Sequence, residues 1–581
     1  MSCDKLVFDL SQEVEGSPNV FVKKDWLNIL DNMNQNYSSN QTVIDTSQLS
    51  NSNKYMSYRE AYLLMPMLLT ISTATGRFAP ATEATAADYS IGLKNWFGTI
   101  IHSFTVDYMG TTIIQQTPYI NMWNAFKLMT SLSWNDIITQ GATIGFYPDD
   151  PLAWGFSNVA SDFGVGVCNN INYPANRQIG QDPTTSFNTY TWNTGNLGFI
   201  KRQQFINFDL DGDIGSTTYR GLIPQQSINN LWKSYIFNKT NNALGGIMEI
   251  AITATVYLKH VHSFFSMCPL LKGVFLKITA NLNNTVVSIS STGAVGANVF
   301  SINSVSVPVG GVCPIMIASA NGAGGSNLES AVGNGAAPYI LTLQVGGRTL
   351  NSGVANVGGY ANSPLGQSVY LYVPAYTFNP VFEQAYLSSP IKQVKYTDIY
   401  QYQVLNVGAN NGNFNNLITN GIANIKSVLI VPFYSASPNP SVNGLPVGLP
   451  VYQSPFDPAG AGPTSPLCLL TNFNVVISGQ NAIYNTERYS FEQFNNQLYG
   501  QNAVNGGLTD GLTSSLIDSL GFEMEYCYYY VNVSRMLPVE ESVPKSVQII
   551  GQNQSALPID LWVFIEYGVD ISIDTLTGSR V

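Results

Sequence analysis

The sequence predicts an all-β protein built from two consecutive antiparallel sandwiches of the jelly-roll kind, with short helices and long loops. Three observations predict this fold class. Residues 561–574 carry apolar side chains at every odd position, a period of two that places them on one face of a strand. Alternating segments recur in both halves of the chain, whereas helical periodicity is rare. Segments rich in Gly, Pro, Asn and Ser separate the strands, which is typical of sandwiches with many turns.

The last long strand organises the C-terminal end of the chain. At ~3.3 Å per residue, residues 561–574 span roughly 45 Å, well beyond an ordinary strand of about six residues. Such a strand requires an equally long sheet beside it and a second layer over its apolar face. Residues 526–533 and 545–550 are predicted to close the sandwich with it. Gly568 predicts a bulge or bend within the strand.

The first half begins with polar, irregular residues and continues with strands. Residues 1–40 predict an N-terminal arm that either frays or reaches a neighbouring subunit. Pro66, inside one predicted strand, indicates a bulge or an edge position. Residues 121–132 and 228–237 predict helices. The strands of this half are predicted at 42–49, 58–72, 93–107, 249–259 and 272–283.

The order of elements predicts one architecture used twice. A predicted helix at 228–237 precedes the strands near residue 280, as one at 511–520 precedes the strands near residue 570. The small, polar stretch 284–300 predicts a boundary. We therefore divide the chain into an N-terminal arm at 1–40, a first jelly roll at 41–290 and a second jelly roll at 291–581.

The second half follows the same pattern of strands and turns. Its strands before residue 500 are predicted at 301–309, 315–319, 339–345, 368–374, 394–407, 425–433 and 467–477. Loops rich in small residues, Gly or Pro are predicted at 141–194, 320–337 and 435–465, exposed at the outer end of the sandwiches.

Composition limits the possible partners. The 581-residue chain is 45% hydrophobic but only 10% charged, against about 25% in typical domains. So few charges indicate that much of the surface contacts other chains. The net charge is −11 and no basic cluster is present, whereas a sequence-independent grip on DNA needs Lys and Arg to neutralise phosphates. The sequence therefore predicts no direct binding of nucleic acid.

Targeting signals and cysteine frameworks are not visible in the sequence. The first residues lack a basic segment followed by an apolar one, and the apolar runs fall well short of the ~20 residues that cross a membrane. The sequence predicts no membrane span. The cysteines lack the spacing of disulfide or zinc frameworks, so we expect free, buried thiols. They are Cys3, Cys168, Cys268, Cys313, Cys468 and Cys527.

Candidate catalytic and metal-binding residues are few. His260 and His262 fall on one face at the end of a predicted strand, with no third ligand evident, and His102 stands apart. Asp209, Asp211 and Asp213 alternate as in calcium loops but lack the closing glutamate of an EF-hand. We expect hydrogen-bonded histidines and a solvated turn.

Two pairs of adjacent carboxylates suggest a glycosidase on a sandwich. They are Asp149 with Asp150 and Glu540 with Glu541. Adjacent carboxylates in turns are usually solvated, and neither a nucleophile elbow nor a phosphate-binding loop is present. The sequence predicts no enzyme, no cofactor, and no catalytic or metal site.

Four segments, in order along the chain and in both halves, resemble the major capsid proteins of polinton-like viruses and virophages. They are residues 44–66 (IDTSQLSNSNKYMSYREAYLLMP), 256–278 (VYLKHVHSFFSMCPLLKGVFLKI), 369–400 (VYLYVPAYTFNPVFEQAYLSSPIKQVKYTDIY) and the block 505–574. The resemblance runs from about residue 41 to the end of the chain.

This resemblance implies a double jelly roll, two eight-stranded barrels that stand upright on a viral shell. It implies a homotrimeric, pseudo-hexagonal capsomer and an icosahedral shell around double-stranded DNA. The partners would be further copies of the chain, penton proteins and minor capsid proteins. The protein would belong to the virion and be made in the host cytoplasm or a viral factory. The alternative is a secreted or surface glycan-binding β-sandwich protein, which should carry a signal segment.

Overall fold

The computed structural model describes most of the chain. The described residues are 19–49, 52–73, 89–149, 198, 202–206, 234–241, 245–292, 299–308, 311–319, 339–346, 368–435, 450–455, 459–465, 468–484, 488–505, 516–524, 526–534, 542–574 and 579–580. Among them, no helix has the length and apolarity needed to cross a bilayer.

Strands dominate the described residues. In chain order they are β1 (Phe21–Leu30), β2 (Gln41–Asp45), β3 (Tyr55–Met56), β4 (Tyr62–Thr73), β5 (Tyr89–Leu93), β6 (Ile101–Tyr108), β7 (Thr111–Ile114), β8 (Gln203–Ile206), β9 (Ser234–Asn241), β10 (Gly245–Tyr257), β11 (Leu276–Leu282), β12 (Thr285–Thr292), β13 (Val299–Ser306), β14 (Ile315–Ser319), β15 (Tyr339–Val345), β16 (Tyr370–Phe378), β17 (Ile391–Val407), β18 (Gly412–Ile422), β19 (Ile425–Tyr434), β20 (Leu470–Ile477), β21 (Gln480–Asn481), β22 (Tyr529–Asn532), β23 (Lys545–Asn553) and β24 (Ile559–Asp574).

The described helices are short. They are α1 (Ile120–Ser131), α2 (Trp134–Ile144), α3 (Leu258–Val261), α4 (Ser263–Met267), α5 (Pro380–Leu387), α6 (Phe491–Asn505) and α7 (Ser519–Met524).

The second half forms a jelly roll, called here the second unit. Its two antiparallel sheets run β17-β24-β19-β22 and β18-β23-β20-β21. Numbered one to eight along the unit, the strands therefore stand in the orders 1-8-3-6 and 2-7-4-5. Consecutive strands mostly lie in opposite sheets, so the chain wraps around a shared core as jelly rolls do.

The first half contains the same arrangement, called here the first unit. One sheet includes the path β1-β16-β4-β10, and the other runs β2-β11-β6-β7. Numbered along β1, β2, β4, β6, β7, β10, β11 and β16, these orders are again 1-8-3-6 and 2-7-4-5. The predicted double jelly roll, one architecture used twice, is therefore confirmed.

The first unit carries additional strands, and four of those described, β12 to β15, lie between its seventh and eighth. β12, β13 and β15 extend the first sheet beside β4, while β5, β8 and β14 form a separate three-stranded sheet. β9 pairs with β10. Because the chain leaves the jelly roll at β11 and returns at β16, the first unit extends far past residue 290.

The strand pairing groups residues differently from the predicted ranges 1–40, 41–290 and 291–581. β1 falls within the predicted arm but pairs with β16 from Phe21 to Leu30. The division at 290/291 falls inside β12, and β16 pairs with β1 and β4. We propose that the first unit ends at β16 and the second begins at β17, with α5 between them.

Three local predictions differ from the structure. Residues 234–237 lie in β9 rather than in a helix, because Tyr235, Ile236 and Phe237 pair with β10. Residues 284–300 contribute to β12 and β13, whose pairing outweighs their small, polar composition. Of the predicted exposed loop 435–465, residues 450–455 and 459–465 are described and mostly buried. The loop 320–337 and most of 141–194 lie outside the described residues.

Pro66 occupies a central strand rather than an edge. On one side of β4, Tyr62–Thr73 pair with β10 without interruption. On the other side, β16 pairs with residues 62–64 and β15 with residues 67–73, so Pro66 lies where the partner strand changes. Its carbonyl accepts from Gly346 N–H on that side at 2.8 Å. The missing N–H of proline therefore faces the gap between two strands and breaks no ladder bond.

Candidate functional site

Helix α1 of the first unit packs against the second unit. It follows β7 of the first unit, and most of its side chains are buried. The ring of Trp123 lies 6.3 Å from Phe564, centroid to centroid, and that of Phe126 lies 5.1 Å from Tyr528 and 5.5 Å from Tyr530. These partners belong to the sheet β17-β24-β19-β22 or directly precede it. The helix therefore covers the outer face of the second unit's first sheet.

Trp562 lies at the centre of a second aromatic cluster. Its ring centroid is 4.9 Å from Tyr452, 5.5 Å from Phe433 and 5.7 Å from Tyr119, each in an edge-to-face arrangement. Tyr119 directly precedes α1 in the first unit. Edge-to-face pairs add about 0.5–1.5 kcal/mol beyond area burial. The cluster therefore joins the two units through a continuous apolar core.

This contact explains an irregularity in the pattern of β24. The odd positions, such as Val563 and Ile565, pack inside the second unit, and the even positions face outward. Trp562 and Phe564 are apolar because α1 and Tyr119 cover them. Glu566, the next even position, is also buried, and its Oε2 accepts a 2.7 Å hydrogen bond from Ser427 Oγ. Beyond Gly568 the outward positions are half-buried or exposed.

A polar junction borders the aromatic contact. His262 caps α4 by accepting from Phe264 N–H at its Nδ1, 3.2 Å away. Because Nδ1 accepts, the ring proton is on Nε2, which donates to Asp398 Oδ1 at 3.3 Å. Asp398 Oδ2 accepts from Gln115 N–H at 3.3 Å. A carboxylate of the second unit thus satisfies two donors of the first.

Hydroxyl groups extend this junction along β17. Ser263 Oγ donates to Thr397 O at 2.6 Å and accepts from Thr397 N–H at 3.0 Å. Thr117 Oγ1 donates to Ile399 O at 2.7 Å. These groups are buried or half-buried, so their bonds set the register between the units.

Residues 450–455 and 459–465 form a further contact. Lys94 Nζ, fully buried, donates to the carbonyls of Tyr452 at 3.5 Å and Ala459 at 3.4 Å. The amide of Asn95 donates to Ala461 O. Side chains of the first unit thus satisfy backbone groups of these residues, which explains their burial despite a composition rich in Pro and Gly.

The structure does not bring His260 and His262 together on a strand face. β10 ends at Tyr257, and His260 lies in the one-turn helix α3 that follows. Its ring packs edge-on to Tyr257, whereas His262 bonds to Asp398. Burial, with a smaller effect from Lys259, lowers the pKa of His260 to about 4. The strand parity predicted from sequence fails because the chain turns into a helix.

His102 lies elsewhere, on β6. Its ring packs edge-to-face against Tyr119 at 4.8 Å, next to the contact between the units. Burial lowers the pKa of His102 to about 4, so the ring is neutral at pH 7.

The carboxylate candidates are separate from one another or lie outside the described residues. Asp149 is buried and forms an ion pair with the buried Arg202, and its backbone carbonyl accepts from Tyr526 OH at 3.0 Å. It therefore supports the contact between the units. Its predicted pair member Asp150 lies outside the described residues, as do Asp209, Asp211, Asp213, Glu540 and Glu541.

Metal-ligating residues do not cluster in the part of the chain that the structure describes. Cys268, Cys313, Cys468 and Cys527 carry buried thiols, as predicted. Burial raises the pKa of the Cys313 thiol to about 11, so the thiol stays protonated at neutral pH. Cys3 and Cys168 lie outside the described residues.

The sequence matches no protein-family model and no curated protein. Among solved structures, the chain is similar to one in the cryo-EM structure of the Sputnik virophage, at 11% identity and a TM-score of 0.47. The similarity covers 98% of this chain and 90% of that one.

Two further solved structures illustrate the range of similarity. The mavirus major capsid protein is 8% identical with a TM-score of 0.41, over 98% of this chain and 92% of that one. The Faustovirus major capsid protein is 9% identical with a TM-score of 0.41, over 98% and 94%. The similarity is to virophage and other viral major capsid proteins along nearly the whole chain. This similarity concerns the path of the backbone and does not assign a role to this chain.

Proposed function

We propose that this chain is a major capsid protein that assembles as a homotrimeric, pseudo-hexagonal capsomer. Many capsomers would tile an icosahedral shell around a double-stranded DNA genome. The role is structural rather than catalytic.

One observation carries the proposal: the chain contains the same jelly-roll strand order twice, and a buried contact joins the two units. Trp562, Phe564 and their partners form that contact together with the Asp398 junction. A chain of this kind supplies two similar building blocks in a fixed relation. Three copies arranged head to tail then supply six similar blocks in a closed ring, since closed rings are the common outcome of rotational assembly.

Composition and sequence motifs support the same proposal. Low charge and abundant Asn, Ser, Thr and Gly suit adaptable, wet contacts between copies. The four segments that resemble capsid proteins lie in β2 to β4, β10 to β11, β16 to β17 and the closing strands. They therefore include strands of both jelly rolls.

The remaining partners follow from this role. The capsomer would contact neighbouring capsomers, penton proteins and minor capsid proteins. The acidic chain lacks a basic cluster, so DNA would be held by confinement or by other proteins. The protein would reside in the virion after synthesis in the host cytoplasm or a viral factory.

Light scattering coupled to size-exclusion chromatography tests the proposal. The expressed chain is expected to elute with three times the mass of one copy. A stable monomer at high protein concentration would contradict the proposal. Binding of the monomer to a glycan array would favour the glycan-binding alternative.

A further inference from the structure

The first unit carries an aromatic surface on the outside of its first sheet. We call the residues Trp26, Leu30, Tyr62, Tyr257 and Tyr372 the aromatic face. They lie on β1, β4, β10 and β16, which are neighbouring strands. The ring of Tyr62 is 5.1 Å from Tyr372, 5.6 Å from Tyr257 and 5.7 Å from Trp26. These rings form a continuous row across the sheet.

The aromatic face points away from the core of the first unit. The alternate residues on the same strands, such as Leu63, Val256 and Leu371, are fully buried inside the jelly roll. Trp26 keeps 50% of its surface exposed and Leu30 keeps 45%. Tyr62, Tyr257 and Tyr372 are half-buried. A row of exposed aromatic side chains of this kind is typical of protein interfaces.

Part of the equivalent surface of the second unit is covered by the first unit. There the outward side chains Phe564, Tyr528 and Tyr530 lie under α1 of the first unit, with exposed fractions of 0% to 1%. Both surfaces belong to the sheet with strand order 1-8-3-6. The face of this sheet is therefore packed against another jelly roll in the second unit. In the first unit, no jelly roll packs on it among the described residues.

The covering element has a counterpart in the second unit. Helix α1 comes from the segment between the fifth and sixth strands of the first unit, β7 and β10. The matching segment of the second unit lies between β21 and β22 and contains α6 and α7. Leu520 of α7 is 47% exposed. In a head-to-tail arrangement, α6 and α7 of one copy would lie against the aromatic face of the next copy, as α1 lies against the second unit within one chain.

Charge on the aromatic face is limited to its rim. Lys24 Nζ lies 5.4 Å from the ring centroid of Trp26 and forms an exposed pair with Glu60 at 2.5 Å. The central aromatic row carries no formal charge. An aromatic centre with a charged rim is the composition that binding hot spots share.

We infer that the aromatic face binds a second copy of this chain, through the described helices α6 and α7 of that copy. The inference rests on the proposed function, because it identifies the contact that would close the ring of three copies. The contact is heterologous: each copy uses the aromatic face on one side and its second unit on the other.

Native mass spectrometry of charge variants tests the inference. Trp26→Glu places a charge on the aromatic face at a half-exposed position, so the fold should persist. Trp134→Glu makes the same substitution at a tryptophan of α2 that is 58% exposed and lies outside both the aromatic face and the segment between β21 and β22. We expect wild type and Trp134→Glu to be trimers, and Trp26→Glu to need a protein concentration higher by about tenfold or more to assemble.

The outcomes separate the inference from the proposed function. A wild-type trimer with an equally stable Trp26→Glu trimer would overturn the inference and leave the proposed function in place. A monomeric wild type would overturn both.

Thiol labelling gives a second test that does not depend on disrupting the assembly. In the Trp26→Cys variant, assembled protein should react with a maleimide about tenfold more slowly than in the Trp134→Cys variant, whose cysteine lies outside the proposed contact. The four described cysteines of the natural chain are buried, and wild type measures the background of the others. Equal labelling rates in trimers of the two variants would overturn the inference.

Discussion

Trp562 and Tyr119 pack edge to face across the boundary between the two jelly rolls, with ring centroids 5.7 Å apart and planes at 81°. Trp562 lies in the last strand of the second unit, and Tyr119 precedes the first long helix of the first. Only 1% of the Trp562 surface is exposed. The two jelly rolls therefore share a core rather than touching through their surfaces.

Truncation of Trp562 tests how much this shared core contributes to the free energy of unfolding. Trp562→Ala should lower the free energy of unfolding by about 3–5 kcal/mol, because it leaves a large cavity among Tyr119, Phe433 and Tyr452. Denaturant unfolding measures the effect. Tyr484→Ala, at a fully exposed position, should change the value by less than about 0.5 kcal/mol. Similar values for the two variants would contradict the shared core.

A charge inside the second unit should be far more damaging. Val563→Asp buries a carboxylate in the apolar interior without a partner, so we expect no soluble trimer. The matched control is Val543→Asp, since Val543 is 48% exposed. The yield of soluble protein and its native mass give the readout. Normal assembly of Val563→Asp would show that its side chain does not face the core.

The Asp398 junction should stabilise the contact between the units. Asp398→Ala removes the acceptor of His262 Nε2–H and Gln115 N–H, and we expect a loss of about 3 kcal/mol. Asp398→Asn keeps one acceptor oxygen and should lose less. Denaturant unfolding of both variants and of wild type measures these losses in the free energy of unfolding. Equal stability of Asp398→Ala and wild type would contradict this role.

Stability should fall as the solution becomes acidic, in part because of His102. Burial lowers the pKa of His102 to about 4 from a usual 6.5, so between these values the unfolded chain binds the proton and the folded chain does not. The contribution of His102 to stability is therefore complete above pH 6.5 and is lost as the pH falls toward 4. Between pH 7 and pH 5 we expect a loss on the order of 2 kcal/mol from this residue.

His102→Phe should remove that part of the pH dependence. The variant should keep the part of the pH dependence of stability that comes from His260, whose pKa is also about 4. Urea unfolding at pH 7 and pH 5, for wild type and variant, gives the difference. The same pH dependence in both proteins would contradict a neutral, buried His102 in the folded state.

Period-two patterns predicted much of the fold. The long β24, the pair β10 and β11, and the two-sandwich class follow from alternation that each segment carries locally. The helix α1 was predicted within one residue at each end. These elements are predictable because their own side chains decide both conformation and buried face.

Features that depend on distant partners were not predictable in this way. β1 lies in the range predicted to be an arm, because residues 1–40 are polar and irregular in sequence and its partner β16 lies about 350 residues away. The division of the chain was placed inside β12 for a similar reason: small, polar residues form a strand there once β13 and β15 pair with it. Composition records neither of these long-range pairings.

The contact between the units left one signal in the sequence. Trp562 and Phe564 are apolar at positions where alternation calls for polar residues, and the structure shows α1 and Tyr119 over them. The polar junction was not predictable, because His262 and Asp398 are 136 residues apart and only the fold brings them together. The aromatic face was predictable only in part. Its tyrosines and Trp26 can be read from the sequence, but their alignment across the sheet depends on strand register.

Imaging of the expressed protein tests the central claim most directly. Negative-stain electron micrographs of the purified chain should show six-lobed, pseudo-hexagonal particles, each made of three copies with two jelly rolls apiece. Separate two-lobed particles at concentrations that suit assembly would contradict the claim that this pair of jelly rolls is the building block of a capsid.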